Sequence, residues 1–174
     1  RVLIVDDSAF ARKTVRDELS TTSDLEVVGH ARDGLEALEQ IALVRPDVMT
    51  LDLDMPQLDG LGVLMALKQA GDVSRSPKLP PKLPPQLPKL VVVSASASDC
   101  ERALRALELG AIELVHKPAL AAARGDRSES LTHKVRLAAL AAFAERVTDE
   151  SEQVRLSTPK AASKFEHGVG IVLI

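Results

Sequence analysis

Tryptophan and tyrosine are absent from the 174 residues, and only three phenylalanines occur. Aromatic platforms on which nucleotide bases could stack are therefore missing. A cationic excess is missing too: 22 Lys and Arg stand against 25 Asp and Glu, a formal net charge of −3. Phosphate-backbone binding needs the opposite balance, so no nucleic-acid ligand is expected. The single cysteine, Cys100, excludes an internal disulfide. The four histidines, His30, His116, His133 and His167, are too scattered in sequence to match a zinc motif. No apolar run approaches the roughly 18 residues that span a bilayer. Val2 to Val5 is too short for the core of a signal peptide and runs straight into Asp6-Asp7. No membrane insertion is expected, and a reducing cytoplasm is the expected compartment.

What remains is 45% hydrophobic and 27% charged, which suits one globular core with a linker or a fragment of something further. Short apolar, β-branched runs recur at Val2 to Val5, Glu26 to His30, Asp47 to Leu51, Leu90 to Val93 and Ile112 to Val115. Each reads as a buried strand. Between them lie segments of helical period, carried by Phe10, Val15 and Leu19, by Leu35, Leu38 and Ile41, by Leu61, Leu64 and Leu67, and by Leu104 and Leu107. Ser8 is placed to cap the first helix. Asp33 ahead of Glu36 and Ser98 ahead of Glu101 have the spacing of capping boxes. A fifth helix is predicted from near Ser128 through Leu131, Val135 and Leu140. Five strands alternating with five helices predict an α/β fold, a doubly wound five-stranded parallel sheet with helices on both faces.

Six of the ten prolines fall between Ser74 and Leu90, where Pro-Lys-Leu-Pro nearly repeats and Arg75, Lys78, Lys82 and Lys89 have no acidic neighbour. Proline at this density predicts an extended surface excursion, either a tolerated insertion or a docking segment for an aromatic-lined groove. After about Phe143 the apolar period dissolves, and residues 144–167 read as a linker.

In an open parallel sheet, ligands sit beyond the carboxyl ends of the strands. Here the first strand ends in Asp6-Asp7, the third in Asp52, the fourth in Ser94, and the fifth is followed by Lys117-Pro118. Singly, these residues could be helix caps, turn residues or a solvated charge. Together they place three carboxylates, a hydroxyl and an ammonium on one edge. Crowded carboxylates are relieved by a hard divalent cation or by a raised pKa. A carboxylate can itself be the nucleophile of a phosphoryl transfer, with Lys117 and a metal neutralising the transferred group.

Asp6-Asp7-Ser8, Leu51-Asp52-Leu53-Asp54-Met55-Pro56 with Asp59-Gly60, Ser94-Ala95 and Lys117-Pro118 together resemble the receiver domain of two-component response regulators. The resemblance covers about residues 1–143 and implies the flavodoxin-like receiver fold. It also implies that Asp52 accepts a phosphoryl group from a sensor histidine kinase. Asp7, Asp52 and the backbone carbonyl of Asp54 would ligate Mg²⁺, with Asp6 acting through a water. Ser94 and Lys117 would bind the phosphoryl group and carry the switch, and the peptide bond to Pro118 would be cis. Asp54 and Ser96 hold positions that modulate phosphoryl lifetime. Leu114 stands where many members carry Tyr or Phe, so an aromatic rotamer switch is not available there.

The wording Val5-Asp6-Asp7-Ser8-Ala9-Phe10-Ala11-Arg12-Lys13, Val27 to Leu38, Arg45 to Asp52 and Leu107 to Ala111 is similar to the receivers of the chemotaxis protein-glutamate methylesterases, the CheB family. That similarity implies a CheA-like kinase as partner. It also implies control of a methylesterase and deamidase domain beyond Ile174 that acts on chemoreceptors. Gly168 to Ile174 resembles the first strand of that domain, here truncated, so no esterase catalytic residue is expected in this chain. His116, His133 and His167 are read as surface or loop residues. Two alternatives stay open. One is a receiver with another output, such as dimerisation; the other is a phosphatase of the haloacid dehalogenase type using Asp52 and Asp54, against which Pro56 stands where that family needs a hydroxyl.

Overall fold

The computed structural model describes residues 1–71, 83–84, 86–94, 100–117 and 130–157. Five strands, β1 (Val2–Val5), β2 (Val27–Ala31), β3 (Val48–Leu51), β4 (Lys89–Ser94) and β5 (Ala111–His116), form one sheet in the order β2-β1-β3-β4-β5. Every neighbouring pair is parallel, as the alternation of the elements requires. The helices are α1 (Ala9–Leu19), α2 (Gly34–Val44), α3 (Gly60–Gly71), α4 (Cys100–Glu108) and α5 (Leu131–Ser157).

The period-2 geometry of a strand sorts the apolar residues into two cores. Leu3, Val5, Met49, Leu51, Leu90 and Val92 face α2, α3 and α4, meeting Leu38, Ile41, Val63, Leu64, Leu67 and Ala106. Val2, Ile4, Val48, Val91, Val93 and Val115 face the other way, onto Val15 and Leu19 of α1 and Leu131, Val135 and Ala138 of α5. Both faces are covered, which is why the strands read as unbroken apolar runs rather than as alternating ones.

Two of the capping signals act as the sequence implied. Ser8 accepts a hydrogen bond from the Ala11 amide at 3.3 Å, and Asp33 from the Glu36 amide at 2.9 Å. The Glu36 carboxylate reaches back to the Arg32 amide, 3.0 Å, one residue ahead of the cap itself. Asp33 is buried and also accepts from Gln57 Nε2 at 3.3 Å. Asp33→Ala is expected to cost about 1 kcal/mol in urea unfolding, the usual loss for a cap. Ser98 and the start predicted for α4 lie outside the described residues.

The last helix, whose end the sequence does not mark sharply, continues past Phe143 to Ser157, into the stretch read as a linker. Its 27 residues span about 40 Å. Residues 144–157 hold no glycine or proline and carry Glu, Arg, Gln and Leu among them, so propensity sustains the helix after the apolar stripe has ended. Ion pairs then hold it to the sheet edge. Arg146 Nη1 meets Asp47 Oδ1 at 2.8 Å, and Glu145 pairs with Lys89. A signal based on hydrophobic period cannot see such contacts.

The Pro-rich segment is partly described. Leu83 and Leu87, partly buried, pack against the core, and Pro88 is buried, so the end leading into β4 is held to the domain while Gln86 is exposed. The leucines interleaved with the prolines supply the apolar contact. Residues 72–82 and 85 lie outside the described residues, as do 158–174 and with them the expected start of a further domain.

Arg136 of α5 makes a two-pronged contact with Asp24, 2.6 and 2.9 Å, pinning the α1–β2 connection. These hydrogen bonds lower the Asp24 carboxyl to about 2. The contribution of an acid depressed in the folded state is complete above its unfolded value of about 3.9 and disappears as the pH falls through the folded one. Asp24→Asn is therefore expected to flatten the stability profile between about pH 4 and pH 2, as read by urea titrations across that window; an unchanged slope would deny the pair any role in stability. No helix among the described residues is long and apolar enough to cross a membrane.

Candidate functional site

The sheet order reverses between β1 and β3. The first connection runs outward to β2, while the next returns across β1 to β3 and continues to β4 and β5. The carboxyl ends of β1 and β3 therefore lie side by side with their connections leaving in opposite directions, which opens a crevice. Asp6 and Asp7 follow β1, and Asp52 follows β3. Backbone bonds hold neighbouring ends level: the Asp52 amide donates to the Val5 carbonyl at 2.9 Å, tying β3 to β1, and the Asp6 amide to the Ala31 carbonyl at 3.1 Å, tying β1 to β2.

Oxygens of Asp6, Asp7 and Asp52 lie within 4.8 Å of one another. Asp6 and Asp52 are buried, whereas Asp7 is exposed at the rim. Lys117, one residue beyond β5, reaches across the crevice and places Nζ 2.8 Å from Asp6 Oδ2 and 2.7 Å from Asp52 Oδ2. One ammonium thus serves two carboxylates. The remaining oxygens have backbone donors: Asp6 Oδ1 accepts from the Ser8 amide at 2.9 Å, and Asp52 Oδ1 from the Asp54 amide at 3.3 Å.

Burial pushes the Asp52 carboxyl above its ordinary pKa. The Lys117 hydrogen bond and charge oppose that rise, and the nearby Asp6 charge adds to it. For Lys117, burial alone would lower the pKa, but hydrogen bonds and charge from both carboxylates outweigh it and the net shift is upward. The directions agree physically, because the lysine gains from two acids while each acid shares half a counterion.

Ser94 ends β4, partly buried, in register with His116, the residue before Lys117. It therefore stands on the same sheet edge, on the strand next to Asp52. Ser96 and Pro118 lie outside the described residues. Leu114, in register with Val92, packs half-buried against the α2–α3–α4 core. His116 closes β5 and His133 lies in α5, both partly exposed; His167 lies outside the described residues.

Three features of the site had no signal in spacing. Arg12 donates from Nη1 to the carbonyls of Asp6, 2.7 Å, and Asp7, 3.0 Å, fixing the β1–α1 loop that presents both acids. Gly60 lies against the backbone of Asp52 and Leu53, where a Cβ would come within 2.3 Å of the Asp52 carbonyl oxygen. Arg102, from the first turn of α4, pairs with the Asp54 carboxylate and donates to the Leu53 carbonyl at 3.0 Å. All three depend on chain segments meeting in space.

A largely buried cluster of hard oxygen donors, short of positive charge among the described residues, fits a hard divalent cation, and its one exposed member leaves a route from solvent.

Residues 2–124 match the family model described as the response regulator receiver domain. A protein-glutamate methylesterase/protein-glutamine glutaminase of Myxococcus xanthus is 52% identical over 141 residues, which are 80% of this chain and 36% of that protein. Its counterpart in Moorella thermoacetica is 41% identical over 139 residues, 80% of this chain and 30% of that protein. The chain thus spans about a third of the length of these relatives. Among solved structures, the response regulator domain of Thermotoga maritima CheB is similar with a TM-score of 0.56 and 31% identity, over 91% of this chain and 98% of that one.

Proposed function

This chain belongs to the response regulator receiver domain family, and from that premise we propose that Asp52 is its phosphoacceptor. A single observation carries the reading: Asp6, Asp7 and Asp52 converge within 4.8 Å at the sheet's switch point, with Lys117 bridging two of them.

The donor is a phosphohistidine of a sensor kinase. An Asp52 oxygen bonds to phosphorus as the phosphorus–nitrogen bond breaks and the imidazole departs. Each of the chain's residues has a part in this. Lys117 favours the ionised form of Asp52 against its burial, the form a nucleophile needs, and its ammonium is placed to follow the negative charge onto the phosphoryl oxygens. Ser94 supplies a hydroxyl from the adjacent strand end. Arg12 and the Ser8 amide hold Asp6 and Asp7 in place while charge accumulates. The cation these acids would hold is Mg²⁺, through Asp7, Asp52 and the Asp54 carbonyl, with Asp6 acting by way of a water. When bound, it offsets charge on the transferred group.

The relatives' names support the output proposed for it. In the longer protein, this receiver controls a methylesterase and glutaminase domain that works on glutamyl esters and glutamines of chemoreceptors. Unphosphorylated, it occludes that domain; phosphorylation releases it. Residues 144–167 would be the connection, helical at least to Ser157, and the site of action is the cytoplasm, beside the kinase. With Leu114 in the aromatic position, coupling to the α4–β5–α5 face runs through Ser94 and the backbone it moves.

The test is intact-protein mass after incubation with acetyl phosphate and Mg²⁺. One hydroxylamine-labile adduct is expected, absent without Mg²⁺ and absent in Asp52→Asn. A stable adduct, or an adduct that survives the substitution, rejects Asp52 as the acceptor. Sustained turnover of a phosphomonoester would point instead to a phosphatase.

A further inference from the structure

The acidic site carries more negative charge than its bonding core requires. Among the described residues, three carboxylates face one ammonium at the centre. Asp54 and Asp59 follow in the β3–α3 connection, with side chains 58% and 47% exposed. A phosphoryl donor is itself an anion and must cross this rim to reach Asp52.

Arg102 lies against both rim acids. Its Nη1 pairs with Asp54 Oδ1, and its Nη2 lies 3.5 Å from Asp59 Oδ2 and 3.0 Å from the Leu53 carbonyl oxygen. The side chain is 30% exposed, well inside the range where a charge still acts on its surroundings. It comes from α4, on the far side of β4 from the connection it grips, so the contact ties the loop bearing the phosphoacceptor to a helix distant in sequence. Asp59 is already engaged in a local turn, its Oδ1 accepting from the Gly62 amide at 2.8 Å, which fixes the end that Arg102 meets.

We propose that Arg102 is a positioning residue of the phosphoacceptor site, which neutralises the Asp54–Asp59 rim so that an anionic phosphoryl donor can approach Asp52. The inference rests on the phosphoacceptor reading of Asp52. Its signature is a pair of effects opposite in sign. Removing the guanidinium uncovers negative charge, which repels a donor anion and attracts a divalent cation. Loss of a merely structural tether would loosen the loop and weaken both.

The experiment compares wild type, Arg102→Ala and Arg102→Lys for the initial rate of adduct formation from acetyl phosphate at saturating Mg²⁺, and for Mg²⁺ affinity by titration calorimetry. Arg102→Ala is expected to slow phosphorylation about three- to tenfold at low salt, with the gap narrowing as ionic strength rises. The same variant should bind Mg²⁺ more tightly, by a factor of about two to five. Arg102→Lys should recover most of the rate, and in an Asp54→Asn background the Arg102 substitution should cost clearly less. An unchanged rate and affinity in Arg102→Ala would overturn the proposal, as would weakening of both or a rate defect indifferent to salt. If wild type takes no phosphoryl group, the phosphoacceptor reading falls instead, and the rim-charge role of Arg102 is decided by the Mg²⁺ titration alone, upheld by tighter binding and rejected by any other result.

Discussion

Replacing Lys117 with methionine is expected to lower the unfolding free energy by about 3 kcal/mol, although the substitution keeps most of the side chain's volume. The lysine is the shared counterion of Asp6 and Asp52, whose side chains are each 3% exposed. Removing it leaves two like charges facing one another out of water, the circumstance in which breaking a buried pair costs most. The figure belongs at the low end of the usual range because Lys117 itself is 20% exposed, so water partly screens the gap. The raised pKa of Lys117 makes the contribution pH-dependent in a defined direction. It is fully present below the ordinary lysine value of about 10.4 and is lost as pH climbs through the higher folded value. Two controls separate charge from packing. Adding Asp6→Asn to Lys117→Met should recover much of the lost stability by removing the repulsion, and Mg²⁺ should stabilise the methionine variant more than it does wild type. A Lys117→Met protein as stable as wild type in urea would show that the two acids are relieved some other way.

Gly60→Ala is expected to cost about 3 kcal/mol or more and to abolish phosphorylation at Asp52 with it. The added Cβ would lie 2.3 Å from the Asp52 carbonyl oxygen and 2.8 Å from Leu53 Cα, closer than atoms can approach. Both obstacles are backbone, so no rotamer change relieves them. The chain cannot easily retreat, because the Gly60 amide donates to the Leu53 carbonyl at 3.2 Å and α3 is buried through Val63, Leu64 and Leu67. Relief must come from shifting the segment that presents Asp52. Gly110 provides the contrast, since it has a φ of 113° and a methyl group added there would meet nothing within 4 Å. Alanine at that position brings strain but no clash and should cost about 1 kcal/mol. Equal losses at the two glycines in chemical denaturation would rule out the close approach as the cause.

The fold was legible because each strand is a run of β-branched and aliphatic residues buried on both faces, while each helix among α1 to α4 carries its own apolar stripe. Such local patterns survive without tertiary information. The carboxyl-end residues Asp6, Asp7, Asp52, Ser94 and Lys117 were legible for a topological reason: once the strands are parallel, all their ends fall on one edge. The end of α5 was not legible, because past Phe143 the helix rests on propensity rather than on an apolar stripe, and pairs such as Arg146 with Asp47 have partners distant in the chain. The packing of Leu83 and Leu87 was hidden by the prolines around them, whose usual meaning is solvent.

By itself, then, the sequence determined the order of elements, the parallel sheet and the identity of the acids and the lysine at its edge, since these depend on residue type and on period along the chain. Tertiary structure decided how those groups share charge. That Lys117 serves both Asp6 and Asp52, that Arg102 reaches from α4 to Asp54, and that Gly60 must lack a side chain are facts about distances between segments remote in sequence or about backbones in contact. Coulomb energy and steric repulsion depend on separation in space, and spacing along the chain does not encode it.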